Sequence, residues 1–416
     1  MRPDFEHHGD SQMKIIASIA LDGRSAGSWY AVETARRLQT RGHNVLFIPR
    51  PKGQTIAMAR EAGLPVIDDL DLEEKSPKKM YRNLRRIIGL IGQFGPDVVL
   101  AHWGEDHALW GLAKSLHRRK PALIRVRTLD PKPPKRHPLS MWLHRKATDM
   151  IVTSNERLAS AYRIRLKIPP ERLHVIPAGI EPTLWDGNRG NRESLSKLGI
   201  PADCPIVILL ARFSPVKGHR VMLSAIPHIC RRHPNVHFLW LGFPSEYGAD
   251  TFQRWFVEGN LTGQVTVVDS MIPDLYSVIS QCAVGVVASL GSESVSRSLL
   301  EYMLCGIPVV ATDVGGIPDL MRQGEFGRLV LPDDTKAMAQ AISDLLDNPS
   351  LRVEYGKNAR AHVLQHATWD QRVDEWEDLL HRTVSRVRGD TIPRLRPNRS
   401  SPDDSVITAT TSGHSG

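Results

Sequence analysis

Residues 14–48 read KIIASIALDGRSAGSWYAVETARRLQTRGHNVLFI, and the changes of pattern inside them decide the architecture. The first eight, 14–21, are almost wholly apolar and rich in isoleucine, as a strand buried on both faces requires. A turn containing Gly23 and Gly27 follows. From Ser28 the pattern changes: Ala31, Ala35 and Leu38 recur at helical spacing, and Gly42 ends the run. Residues 44–48 (NVLFI) return to a short apolar strand. The unit is strand, helix, strand, and a crossover of that length makes the two strands parallel.

The unit repeats along the chain. Val66 and Ile67, a basic helix near 78–91, a strand at 97–101, a helix near 108–116 and a strand at 122–126 continue the first cycle. A second cycle opens at 205–210 (PIVILL) and runs through a helix at 221–230 and strands at 236–241, 265–268, 283–288, 308–311 and 327–330. Between them lie Pro177, Gly179 and the polar run 186–192 (DGNRGNR), which reads as a linker. The expected fold class is α/β, with two Rossmann-like doubly wound domains facing across a cleft. The first spans 13–185 and takes back a helix at 369–387; the second spans 186–368. Residues 1–12 and the tail 388–416, rich in Pro, Ser, Thr and Asp, are expected to be disordered.

Composition agrees with two sizeable cores: 416 residues, 41% hydrophobic and 24% charged. The four cysteines form no C-x-x-C pair and no histidine cluster has metal-ligand spacing, so no metal site is expected. The polar start of the chain does not read as a signal peptide, and no apolar run approaches the ~20 residues of a membrane span. The expected location is the cytoplasm. A net charge of +9 admits anionic partners, and two basic stretches carry much of it: 75–86 (KSPKKMYRNLRR) and 132–146 (KPPKRHPLSMWLHRK). Trp142 among cations in the second suits contact with anionic headgroups at the inner face of the cytoplasmic membrane, or ordinary core packing.

Ligands of such sheets bind beyond the carboxyl ends of the strands. After the strand at 205–210, Arg212 and Lys217 lie five residues apart in a turn that opens a helix. A guanidinium fork, an ammonium and a helix N-terminus together suit a diphosphate. After the strand at 283–288 comes Gly291-Ser292-Glu293-Ser294-Val295-Ser296-Arg297, leading to Glu301. Glu293 and Glu301 are eight apart and would project to similar sides of a helix starting near Ser294. Taken alone, each pair reads equally as solvated loop cations or as a capping and a surface carboxylate. His102 and His107, near another strand end, read as polar loop residues.

Together, in this order and spacing, the motifs resemble those of the retaining GT-B glycosyltransferases of family 4. Arg212 and Lys217 match its R-x4-K pair and Glu293 to Glu301 its E-x7-E motif. The segment 306–319 (GIPVVATDVGGIPD) matches the stretch after it. The resemblance covers roughly 13–380 and is strongest in the second domain. It implies that Arg212, Lys217 and Glu293 carry catalysis, the cations neutralising the donor diphosphate in place of a metal while Glu293 holds sugar hydroxyls. It further implies that Glu301 grips the ribose, that Ser294, Val295 and Ser296 touch sugar and phosphate, and that Gly27 lets the first domain approach. Ser270 and Met271 would lie by the base, and Asp130 would stand where many members have a sugar-contacting histidine. The donor would be a nucleotide diphosphate sugar, and no cofactor is implied. The expected acceptor is a cell-envelope saccharide or lipid-linked glycan of the lipopolysaccharide or exopolysaccharide type. The alternatives are a soluble-acceptor sugar synthase of the same fold and a non-catalytic GT-B scaffold.

The sequence departs from the family in Glu293-Ser294-Val295-Ser296, where E-x-F-G is common and a glycine is here Ser296, and at Ala26-Gly27, where a Gly-Gly pair is common. A nicotinamide dehydrogenase is disfavoured because no G-x-G-x-x-G follows a strand. A nucleic-acid partner is not expected, since no motif or aromatic-interleaved basic strand supports the charge. A scaffold protein would be expected to have lost one of Arg212, Lys217, Glu293 and Glu301, and all four are present.

Overall fold

The isoleucine-rich stretch forms β1 (Lys14–Ile19), and the 26–40 helix carries the chain back to a parallel β2 (Asn44–Pro49). The structure, a computed structural model, describes residues 12–390 except 24, 75, 129–133, 186, 188–192, 202 and 292. The first sheet continues with β3 (Val98–Ala101), β4 (Ala122–Arg127), β5 (Met150–Thr153) and β6 (Leu173–Val175), in the order β2-β1-β3-β4-β5-β6. The second sheet comprises β7 (Ile206–Leu210), β8 (His237–Leu241), β9 (Val265–Val268), β10 (Val284–Val287), β11 (Val309–Thr312) and β12 (Gly327–Val330), ordered β12-β11-β10-β7-β8-β9. Every pairing in both is parallel. In each sheet the order reverses beside the first strand, and the crevice there is where a doubly wound sheet binds its ligand.

Caps start the helices. Ser25 Oγ accepts from the Ser28 amide at 3.1 Å to begin the helix Ala26–Thr40. Thr368 and Gln371 form a reciprocal capping box at the head of Trp369–Arg388. That long helix packs Trp369, Val373, Trp376, Leu380 and Val384 into the core it shares with β1 and the 26–40 helix. The chain therefore passes between the domains twice, and the passages lie side by side: Ile180 N donates to Ala367 O at 2.9 Å and Trp369 N to Ile180 O at 3.0 Å. A Cβ on Gly179 would fall 2.7 Å from the Trp369 backbone, so only glycine permits this approach.

Several expectations need correction. Val66 makes a single bridge to Phe47 rather than a strand. β5 and β6 are additional strands in the first sheet. The helix expected from Ser294 begins at Arg297. The terminal helix runs to Arg388, whose guanidinium pairs with Asp97, so the tail expected from 388 does not begin there; the remaining terminal residues, 1–11 and 391–416, lie outside the described residues. His102 and His107 are buried rather than exposed: His102 lies in the loop directly after β3, and His107 is not in a loop but in the helix Gly104–Leu116, where it bonds Thr148 Oγ1 at 2.7 Å. No helix among the described residues is long and apolar enough to cross a membrane.

Candidate functional site

The loop after β7 is fixed by what it packs against. Phe213 is buried edge-on to Phe252, their centroids 4.9 Å apart, and Pro215–Lys217 makes one tight helical turn. Gly218 then takes φ 73°, and a Cβ there would stand 1.8 Å from Ala288 O at the end of β10. Leu290 N donates to Val216 O at 2.8 Å, tying this loop to the one after β10. The tie brings Lys217 Nζ onto Oε1 of Glu293 as an ion pair. Arg212, earlier in the loop, is solvent-exposed.

Glu293 is held from three sides. Ser289 Oγ donates to Oε1 at 2.5 Å, and Gly316 N donates to the Glu293 carbonyl at 2.9 Å. Gly315 has φ 57°, and a Cβ on it would come 2.3 Å from that same carbonyl. The double glycine after β11 thus wraps the backbone of Glu293 and aims its carboxylate at Lys217. Glu293 and Glu301 do not share one helix face, because the helix Arg297–Leu304 contains only the second. Ser294, Val295 and Ser296 are buried in the intervening turn, and the hydroxyls of Ser294 and Ser296 have no hydrogen-bond partner among the described residues. Unpaired buried hydroxyls are costly and mark places where a ligand can supply the missing bonds.

Glu301 lies inside the helix, buried, and accepts from Arg297 Nε at 3.0 Å. Burial pushes its carboxyl above the usual range and the Arg297 charge opposes that rise. The Arg297 guanidinium stands 5.2 Å from the ring centroid of Trp29, two residues after the buried Gly27 in the first domain. A second contact between domains lies nearby: Asn155 Nδ2 donates to Ser294 O at 3.4 Å, and Glu156 N donates to Asp319 Oδ2 at 2.9 Å. The ends of both sheets therefore face one another across the Glu293 turn. Ser270 and Met271 sit exposed in the turn after β9. Asp130 lies outside the described residues.

Sequence reasoning singled out Lys217, Glu293 and Glu301 but not Ser289, Arg297, Trp29 or Asn155. Arg297 had a readable signal, being four residues before Glu301 and so on its helix face. No group of three or more His, Cys, Asp or Glu that could hold a metal occurs among the described residues.

Residues 204–348 match the family described as Glycosyl transferases group 1, and 27–184 match Glycosyltransferase Family 4. The chain is related to the GT-B glycosyltransferases of family 4. Among these relatives, the D-inositol 3-phosphate glycosyltransferase of Corynebacterium efficiens is 27% identical over 59% of this chain and 59% of its own. The alpha-maltose-1-phosphate synthase of Mycolicibacterium smegmatis is 29% identical over 63% of this chain and 73% of its own. The chain spans between 48% and 59% of the length of the inositol-phosphate relatives it matches. The solved structure of HepE from Anabaena in complex with UDP shares the fold, with a TM-score of 0.75 at 18% identity over 88% of this chain and 99% of that one.

Proposed function

We propose that this family 4 relative is a retaining glycosyltransferase that moves a sugar from a nucleotide diphosphate donor to the hydroxyl of a soluble, phosphate-bearing acceptor. The observation that carries the reading is the Lys217–Glu293 pair, a cation and a carboxylate joined between the loops after β7 and β10 at the switch point of the second sheet. On this reading Arg212 and Lys217 take the donor diphosphate. Glu293 and the Ser294–Ser296 turn take the sugar, Glu301 takes the ribose, and Ser270 and Met271 lie by the base. Asp130 and Gly27 belong to the first domain's side of the donor. The domain limits, 13–185 with the returning helix and 186–368, then coincide with acceptor and donor halves.

In the reaction, the bond between the anomeric carbon and the donor phosphate oxygen breaks, and its electron pair leaves with the diphosphate. The acceptor oxygen bonds to the anomeric carbon from the same face, and its proton passes to a departing phosphate oxygen. No protein nucleophile is required. The protein supplies cations already placed where negative charge develops, which is worth more inside a closed cleft than in water.

The acceptor class is supported by the relatives' names, which describe an inositol phosphate and a maltose phosphate enzyme. A lipid-linked envelope glycan is the second reading, favoured by the surface of the first domain. Tyr81, Arg82, Arg85 and Arg86 line one hollow there, and Met141, Trp142, Arg145, Lys146 and Arg172 another. Leu139 is 65% exposed beside them. Such a face suits peripheral contact with anionic lipid at the cytoplasmic surface of a membrane.

The test is a thermal-shift screen of nucleoside diphosphates and their sugars, followed by transfer assays in EDTA with inositol phosphate, hexose phosphates and lipid-linked saccharides as acceptors. At least one nucleoside diphosphate raises the melting temperature, as any ligand selective for the folded state does. If none binds, the assignment fails. Pelleting with phosphatidylglycerol vesicles at physiological salt, together with transfer only to lipid-linked saccharide, would favour the second acceptor over the first.

A further inference from the structure

Arg297 lies between two groups that belong to different halves of the molecule. One edge of its guanidinium donates from Nε to Glu301 Oε1 at 3.0 Å, one helical turn on. The guanidinium also lies 5.2 Å from the centroid of Trp29, in the 26–40 helix of the first domain. Trp29 meets Trp369 edge-on with centroids 5.5 Å apart. Trp369 in turn receives the Arg37 guanidinium at 5.2 Å and sits where the chain makes its second passage between domains. A continuous ladder of cations and rings therefore runs from a carboxylate of the candidate donor site to the hinge.

We propose that Arg297 is a positioning residue for the donor ribose, holding the Glu301 carboxylate in place while Trp29 clamps the guanidinium, so that ribose recognition depends on the first domain being closed. The proposal rests on the glycosyltransferase reading and deepens it.

The chemistry requires something in this position. A buried carboxylate with no positive neighbour takes up a proton, and a protonated carboxyl accepts poorly from two vicinal hydroxyls. Burial indeed pushes the Glu301 carboxyl up, and Arg297 is what opposes it. The guanidinium uses one edge on Oε1, leaving Oε2 and the remaining lone pairs of the carboxylate to face a ligand. Arginine is suited to both tasks because it stays charged and is planar, pairing through its edge and stacking through its face. Lysine would keep the charge and lose the stacked plane. When the first domain swings away, Trp29 leaves with it, and the guanidinium loses its stacked face, keeping only edge contacts to Glu301 and to the Tyr276 side chain of its own domain, so its hold on Glu301 loosens.

The experiment is calorimetric titration with UDP, ADP and GDP, each beside its 2′-deoxy counterpart. The proteins are the full chain, Arg297→Leu, Arg297→Lys, Trp29→Ala and the Arg297→Leu/Trp29→Ala double variant. The unaltered chain prefers the ribose form of its nucleotide by roughly tenfold or more, the order expected for one hydroxyl hydrogen-bonded to a charged carboxylate. Arg297→Leu and Trp29→Ala each reduce that preference below about threefold and leave affinity for the deoxy form within about twofold. Arg297→Lys restores part of it. The double variant is no worse than the poorer single variant, because both act through one carboxylate. A ribose preference retained in Arg297→Leu, or single losses that multiply in the double variant, overturns the proposal. Should Arg297→Leu fail to fold, Trp29→Ala and Arg297→Lys carry the same comparison. Absence of binding to any nucleoside diphosphate by the unaltered chain would instead sink the glycosyltransferase reading itself.

Discussion

Lys217 donates from Nζ to Oε1 of Glu293, joining the loop after β7 to the loop after β10 across the end of the second sheet. The cation assigned to the diphosphate and the carboxylate assigned to the sugar neutralise each other, so neither side chain must be desolvated alone. A donor that brings both phosphate and hydroxyls exchanges this pair for two new partnerships. Lys217→Ala should lower turnover about 10²- to 10³-fold, the usual loss when one preplaced charge donor is removed. Glu293→Gln separates the roles: it should weaken binding of the nucleotide sugar while leaving the bare nucleoside diphosphate bound as well or somewhat better, because Lys217 is released. Calorimetry with both ligands reads the difference. Equal losses for the two ligands in Glu293→Gln would rule out the division of labour.

Gly315 supports the same carboxylate from behind. Its φ of 57° and the 2.3 Å that would separate a Cβ at this position from Glu293 O are independent reasons against any side chain. Gly315→Ala should cost about 2 kcal/mol or more, read as a loss of several degrees in melting temperature. It should also reduce turnover far more than a surface substitution of equal destabilisation, because the Glu293 backbone must shift. A variant with a lowered melting temperature and ordinary turnover would show that this contact is structural only.

Asn155 performs two tasks that one substitution can separate. Its Oδ1 accepts from Leu158 N at 2.9 Å to cap the helix Glu156–Leu166, and its Nδ2 reaches Ser294 O in the other domain. Asn155→Ala should cost about 1 kcal/mol from the cap alone. Asn155→Asp keeps the cap and replaces the donor with a second acceptor facing a carbonyl, so its stability should hold while turnover falls several-fold through impaired closure. Unfolding curves and steady-state rates on the two variants test this, and unchanged turnover in Asn155→Asp would remove the contact from the mechanism.

The parts of the fold that are legible in sequence are those whose signals are local. The unit from β1 through β2 announces itself because an apolar run gives way to helical spacing and returns within a few turns. β5 and β6 do not: before Met150–Thr153 the crossover is only the short pieces Pro138–Trp142 and Leu143–Ala147 within the basic stretch, which show no helical spacing, and Leu173–Val175 is a half-buried edge strand with no apolar run. The same division holds at the site. The spacing of Arg212 to Lys217 and of Glu293 to Glu301 stands in the sequence, but the shape of the turn at Glu293 is imposed by Gly315 and Gly316, which lie beyond the next helix and strand. A helix starting at Ser294 is ruled out for that reason: the backbone of Glu293 is held by the glycine pair, and helical geometry starts only at Arg297. The Trp29–Arg297 contact joins distant parts of the chain and has no local trace.

Acid should unfold this protein through its buried histidines. His219 is packed among Phe213, Trp240 and Phe252, and burial holds its imidazole down at about 4, opposed by the Ser214 backbone and helped by the charge of Lys217. His102 is held at about 3 and His144 at about 4, again chiefly by burial. A histidine kept neutral in the folded state favours folding fully above its unfolded value near 6.5, and that contribution is lost as the pH falls toward the depressed value, since the unfolded chain takes up the proton first. Asp106 acts in the opposite sense. Burial raises it to about 7, so between about 4 and 7 the folded chain holds a proton the unfolded chain has released, and its contribution grows as the pH falls. His107, His174, His237, His362 and His381 are lowered in the same way, and Glu301, Asp319, Asp374 and Glu375 are raised like Asp106, so among the described residues eight histidines stand against five carboxyls and a net loss of stability is expected between pH 7 and pH 5. For His219 alone the loss at pH 5 is roughly 2 kcal/mol. His219→Phe, which keeps an aromatic ring in the cluster, should therefore lose less stability than the unaltered chain between those two pH values. Urea unfolding at both gives the comparison, and an identical pH dependence in the variant would mean that His219 takes up its proton in the folded state at its ordinary value.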